Sequence, residues 1–281
     1  MPVTLIEHDD PITGSEARRD EPATPQPVLI TGAAGRVARR LAAEAHKRSD
    51  LRLRLMIETD TQREQVEGLG EIVVGDIRDA PSIRPAFDGI DTVVHLAANP
   101  SLHASWEDLI GPNIEGMHNV FEAAAEAGCR KIVFASSVHA VTGSAFEDRP
   151  IDEEQPTAPG NLYGVSKTLG EGVGRVYALH RGLSVLCVRL GGVMSLEVAR
   201  GHEKARKAFQ RVAFSAEDTS RFFLHCIDDT RIRFGIFHAM SEAHRPLMSI
   251  DRAREVLGYA PRHRLGDEGF VDIRDETAAA T

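Results

Sequence analysis

A short apolar run that breaks into a glycine turn and then a helix constrains this chain most. Val28-Leu29-Ile30-Thr31 reads as a buried strand. It runs directly into Gly32-Ala33-Ala34-Gly35-Arg36-Val37-Ala38, and a helical pattern follows. Gly32 permits the tight turn, and Gly35 lets a pyrophosphate approach the backbone. Ala38, in the place of a third glycine, still allows the helix to pack closely on the strand. The helix N-terminus offers free N–H groups and the positive end of a dipole. This unit is expected to bind a dinucleotide through Gly32, Gly35, Arg36 and Val37.

Further strands are predicted over residues 51–57, 71–75, 91–98 and 131–135. Helical stretches separate them at 80–87 and 113–127, the second stopped by Gly128. Apolar strands alternating with helices imply a Rossmann-type, doubly wound parallel sheet covered on both faces, an α/β fold. Ligands of such sheets bind at the carboxyl ends of the strands. Gly32, Glu58, Asp76, Ala97 and Ser137 stand at those ends and are expected to share one crevice. Glu58 falls about 20 to 26 residues past the glycines, where an acid accepts from the ribose hydroxyls and repels a 2′-phosphate. That favours NAD over NADP. Asp60 is a rival for the role, and Arg63 lies close by.

Composition narrows the function. The chain has 281 residues, with 33 Lys and Arg against 42 Asp and Glu, a net charge of −9. That balance argues against nucleic-acid and anionic-membrane partners. No apolar run approaches the about 20 residues that span a bilayer. The start lacks the pattern of a secretory signal, and Cys129, Cys187 and Cys226 form neither a metal-ligand spacing nor a disulfide framework. A cytoplasmic protein without a metal is expected. Residues 1–26, proline-punctuated and acidic, read as a disordered tail. Residues 27–190 read as the NAD-binding domain with the catalytic groups, and 191–281 as a small C-terminal substrate-binding portion packed on it.

One stretch carries the chemistry. In Leu162-Tyr163-Gly164-Val165-Ser166-Lys167, Tyr163 and Lys167 stand four apart, on one face of a helix. A phenol titrates near ~10 and is a poor base at neutral pH. A neighbouring ammonium is expected to lower that value, so the pair could take a proton from a hydroxyl while a hydride leaves the same carbon.

Thr31-Gly32-Ala33-Ala34-Gly35, Gly75-Asp76-Ile77, His95-Leu96-Ala97-Ala98, Asn113, Ala135-Ser136-Ser137 and Tyr163 to Lys167 follow one another as in the extended short-chain dehydrogenases/reductases. This group, which the chain resembles over about residues 28–190, is also called the NAD-dependent epimerase/dehydratase family. The resemblance implies that Asp76 and Ile77 border the adenine and that Leu96, Ala97, Ala98 and Asn113 line the cofactor site. It implies Ser137 polarising the reacting oxygen, Tyr163 as acid/base and Lys167 holding the nicotinamide ribose.

Phe134-Ala135-Ser136-Ser137-Val138-His139 and Val188-Arg189-Leu190-Gly191 are similar to uronate dehydrogenases and to a short-chain-type NAD-dependent glucose-6-phosphate dehydrogenase. Residues 249–259 are more like the latter. In those families an Asn-His pair contacts the sugar; here His139 is kept and Val138 replaces the Asn. Ser101 stands about where a sugar-binding Ser is found. An anion-binding Arg is implied among Arg200, Lys204, Arg206, Lys207 and Arg211, with Arg206 and Arg211 as candidates. A short C-terminal portion suits a small substrate. The expected activity is NAD-dependent oxidation of a uronic acid or sugar phosphate at C1 to a lactone, by a homo-oligomer. The alternative is an epimerase or dehydratase that keeps NAD as an internal redox agent.

Overall fold

The computed structural model describes residues 4–8, 24–143 and 150–274. The chain begins with β1 (Leu5–Glu7), β2 (Gln26–Thr31), α1 (Arg36–Ala45), β3 (Leu51–Ile57) and β4 (Glu71–Val74). The single turn α2 (Ala80–Ile83), β5 (Thr92–His95), α3 (Trp106–Leu109), α4 (Gly116–Glu126) and β6 (Lys131–Ser137) follow. Then come α5 (Leu162–His180), β7 (Ser184–Leu190), β8 (Gly192–Met194), α6 (Leu196–Gly201), α7 (Glu203–Phe209), β9 (Ala213–Ser215), α8 (Ala216–Asp228) and β10 (Ile232–Ala239). Helix α9 (Asp251–Leu257) and the hairpin β11 (His263–Gly266) and β12 (Gly269–Asp272) end the described chain.

Among the described residues, eight strands form one sheet in the order β1-β10-β7-β6-β5-β2-β3-β4. All neighbours are parallel except β1 and β10. Along β2, Val28 and Ile30 face a core that includes Leu41, Phe222 and Phe237; Leu29 faces another with Phe87, Phe121 and Tyr177. Both faces are covered, as the unbroken apolar strands required. The order reverses between β2 and β5, so α1 and the elements after β5 lie to either side of one opening.

Two predicted helices are shorter or bent. Over residues 80–87 there is one α turn and then a 3-10 turn, Arg84–Phe87, because Pro85 cannot continue the ladder. The helix at 113–127 begins as a π turn, Ile110–Glu115, before α4; Pro112 removes an N–H there, and Gly128 at φ 72° stops the helix as expected.

Two organisational expectations are corrected. Leu5–Glu7 is not tail: it pairs antiparallel with β10 and covers that sheet edge. Arg252 Nη1 donates to Thr4 Oγ1 at 2.7 Å, and His8 N donates to Arg231 O at 2.8 Å. Residues 9–23 of the predicted tail lie outside the described residues. The body also does not stop at residue 190, because β10 is a sheet strand and α8 packs on α1. What remains as a separate cover is the layer of β8, α6, α7 and β9, with the β11–β12 hairpin against α6.

Candidate active site

The turn after β2 is shaped for close backbone approach. Gly32 has φ 64°, and a Cβ there would stand 2.7 Å from the Ala97 Cα. Gly35 precedes α1 with its backbone extended, leaving the first N–H groups of the helix open to the cleft. A cavity of about 330 Å³ opens beside this turn. Gly32, Gly35, Glu58, Asp76, Ile77, Leu96, Ala97 and Ala98 line it, so eight of the predicted cofactor residues meet in one place. A glycine cradle, a free helix N-terminus and two carboxylates fit the adenosine and pyrophosphate of a dinucleotide. Arg36 and Val37 open α1 but line a different cavity, between α1 and residues 193–198. Ser137 does not line the adenosine cavity; it stands at the end of β6, one strand beyond β5.

Arg78 was not foreseen. Its Nε and Nη2 donate to the Asp76 carboxylate at 2.9 and 2.6 Å, and Nη2 reaches Glu58 Oε1 at 3.3 Å. The guanidinium holds the Asp76 carboxyl below the usual carboxylate range. Asn99 and Gln62 also line this cavity. The only sequence signal for Arg78 is that it follows Gly75-Asp76-Ile77.

Asn113 proves to be a clamp. It lies buried in the π turn, its Oδ1 accepts from Asn99 N at 2.8 Å, and its Nδ2 donates to Asn99 O at 3.0 Å and Ser166 Oγ at 3.1 Å. One side chain thus joins the loop after β5, the start of α4 and the helix that carries Tyr163.

The reacting groups are brought together by β6 and α5. Asn161 caps α5, its Oδ1 accepting from Gly164 N at 2.8 Å. Tyr163 and Lys167 then face the end of β6, where the Ser137 hydroxyl acts on the Tyr163 phenol and favours its ionised form. Lys167 Nζ lies 5.5 Å from the Tyr163 ring centroid and 5.1 Å from that of Phe134. Burial depresses the Lys167 ammonium to about 8. Burial also raises the Tyr163 phenol, against the lowering effect of the Ser137 hydroxyl. The expected lowering of the phenol is therefore corrected: burial raises it, and the lowering influence that opposes burial comes from Ser137.

His139 packs edge-on to Tyr163 at 6.2 Å between centroids. Asn161 Nδ2 lies 3.3 Å from His139 Nδ1, and Asn161 Oδ1 is already an acceptor, so His139 Nδ1 accepts. Burial lowers the His139 pKa, which leaves a neutral ring with its proton on Nε2. Ser101 sits on an exposed loop, where its Oγ accepts from His103 N at 3.3 Å.

The anion-binding candidates are turned elsewhere. Arg206 Nη1 donates to the carbonyls of Ala199 and Arg200 at 2.7 and 2.9 Å, closing the end of α6. Arg211 Nε donates to Arg245 O at 3.2 Å. Neither is held out as a free anion receptor, because a backbone carbonyl already takes up each guanidinium.

The model of the NAD dependent epimerase/dehydratase family matches residues 28–227. The chain belongs to this family. NAD is its cofactor, and the fold is that of the extended short-chain dehydrogenases/reductases. An NAD-dependent glucose-6-phosphate dehydrogenase of Haloferax volcanii is 36% identical over 87% of this chain and 96% of its own length. An L-arabinose 1-dehydrogenase (NAD(P)(+)) of the same organism is 31% identical over 84% of this chain and 96% of its own. The crystal structure of a glucuronic acid dehydrogenase from Chromohalobacter salexigens superposes with a TM-score of 0.75 at 25% identity, over 91% of this chain and 90% of that one.

Proposed function

We propose that this enzyme is an NAD-dependent sugar dehydrogenase that oxidises a small anionic sugar at C1 to its lactone. The observation that carries the reading is the grouping of Ser137 and Tyr163 with Lys167, whose Nζ lies against the Tyr163 and Phe134 rings, one strand from the adenosine cavity. Tyr163 Oη takes the proton of the C1 hydroxyl, and Ser137 Oγ donates to the same oxygen as it becomes a carbonyl. NAD, when bound, supplies the acceptor for the hydride that leaves C1. Lys167 holds the ribose and, while charged, favours the phenolate. Gly32, Gly35 and the first turn of α1 hold the pyrophosphate, with Asp76, Ile77 and Glu58 at the adenosine end. His139, through its Nε2 proton, and Ser101 contact the sugar. Arg200 and Lys204, both exposed in the cover, are the cations on which its anion would draw.

The dehydrogenases of sugars among the relatives support this reading over the epimerase alternative. Within it, the protein is cytoplasmic and self-associating, without nucleic-acid partners. Its three cysteines are free and buried, and Leu162, Val165, Leu169 and Val176 form an exposed apolar stripe on α5. No described helix is long and apolar enough to cross a membrane. Uronic acids, aldoses and aldose phosphates should be screened with NAD for NADH formation. One class should give NADH in proportion to substrate consumed. Isomerised product without net NADH would select the epimerase instead.

A further inference from the structure

The series Tyr163, Lys167 continues at the same helical spacing to Glu171, which no part of the chemistry above uses. Glu171 is 4% exposed, inside the protein. Its Oε1 accepts from Ser136 Oγ at 2.6 Å and from Arg189 Nε at 2.8 Å, and its Oε2 accepts from Arg189 Nη2 at 2.8 Å. Arg189 is 1% exposed. Ser136 stands opposite Arg189 across β6 and β7, and His238 stands opposite Arg189 across β7 and β10. Arg189 Nη1 reaches His238 Nε2 at 3.3 Å, and His238 Nδ1 donates to Ser249 O at 3.2 Å. Three adjacent strands are thus fastened through one carboxylate to one point on α5.

That point lies one turn beyond Lys167 and two turns beyond Tyr163, while Ser136 directly precedes Ser137. Both halves of the reacting centre are therefore neighbours of the same buried group. The helix is also pressed on the sheet here, since a Cβ on Gly170 would fall 2.3 Å from the Phe134 ring. Burying an ion pair is a weak route to stability, because desolvation offsets its attraction. A bidentate, fully enclosed guanidinium–carboxylate pair does, however, fix direction and distance.

We infer that Glu171, held by Arg189 and Ser136, is the positioning residue of the active site. It sets the rotation and height of α5 against the end of β6, so that Tyr163 Oη meets Ser137 Oγ. The inference rests on the reading of Ser137, Tyr163 and Lys167 as the reacting centre. Losing that alignment should slow turnover, because in catalytic geometry a displacement of about 1 Å costs up to about a hundredfold.

The test uses Ser136→Ala and the double variant Glu171→Gln/Arg189→Met. The double variant removes both charges together, so no buried ion is left alone and the fold is expected to hold. Melting temperature, NAD dissociation constant, kcat and its pH profile are measured on the whole protein. In each variant kcat should fall about tenfold or more, with NAD affinity within about twofold. The pH profile should shift as Ser137 moves off the Tyr163 phenol that it helps to ionise. A merely structural role gives a lower melting temperature with the wild-type kcat and pH profile in the folded protein, and that result overturns the inference. Should the double variant fail to fold, Ser136→Ala decides alone by the same criteria. Tyr163→Phe is the control: if it retains turnover, the reading of the reacting centre fails; if only the Ser136 and Glu171 variants retain it, the inference alone fails.

Discussion

The floor of the cleft ties key polar side chains to other elements, whereas in its cover several bond within their own segment. On the floor, Thr31 Oγ1 bonds His95 Nδ1 at 2.8 Å, linking β2 to β5. Burial pushes His95 down to about 3, so the ring stays neutral beside Lys167. His95 packs against Phe134, Phe134 lies under Lys167, and Asn113 ties the next loop to α5. In the cover, Ser195 caps its own helix α6, Arg206 closes that helix from the next, and Lys207 pairs with Glu203 one turn away. Proton and hydride transfer need a geometry that strand register enforces. In the function proposed above, substrate choice falls to short helices whose side chains can change without disturbing the floor.

Tyr163→Phe is the strongest way to break this contrast. It keeps the ring over Lys167 and removes only the hydroxyl on which Ser137 acts. Turnover should fall by about 10² to 10⁴, the usual contribution of a general base, with NAD affinity nearly unchanged. Proton removal needs the phenolate, and burial disfavours it, so the wild-type rate should rise with pH and still be rising near neutrality. Steady-state rates across pH check both points. A wild-type plateau below neutrality, or a Phe variant with near wild-type turnover, would place the proton acceptor elsewhere.

Arg206→Gln perturbs the cover instead. It removes a guanidinium that two α6 carbonyls share, so the α6–α7 turn should loosen while the floor stays intact. The Michaelis constant for the sugar should rise about three- to tenfold, with kcat and NAD affinity unchanged within about twofold. A matching fall in kcat would show that the cover also orders the reacting groups.

The same contrast explains what the sequence revealed. Gly32, Asp76, Ser137, Tyr163 and Lys167 were legible because backbone geometry dictates their positions: a turn with positive φ, strand ends, a four-residue helical spacing. Glu171 extends that spacing and was overlooked because its partners, Ser136 and Arg189, come from two other elements. Leu5–Glu7 is too short for a period, and its partner strand lies more than 200 residues later. The capping role of Arg206 depends on which carbonyls α6 leaves bare, and no pattern in residues 196–211 announces that. The raised phenol of Tyr163 is likewise a property of burial, which two residues at a spacing do not reveal.

Glu58→Gln gives the smallest effect and sharpens the description of the adenosine end. Glu58 is exposed at the end of β3, and Arg78 stands between it and Asp76. A carboxylate there repels a 2′-phosphate, though water screens much of the interaction at so open a site. Removing the charge should tighten NADP about fivefold, since Arg78 remains and is released from one of its two carboxylates. NAD affinity should change less than about twofold, because the glutamine amide still offers an oxygen to the ribose hydroxyls. Dissociation constants for both cofactors, at low and at high salt, separate the causes. Tighter NADP binding that fades with salt identifies charge repulsion as the basis of the preference. Weaker NAD with unchanged NADP would instead show that Glu58 acts by accepting the ribose hydrogen bonds, and that Arg78 stays committed to Asp76.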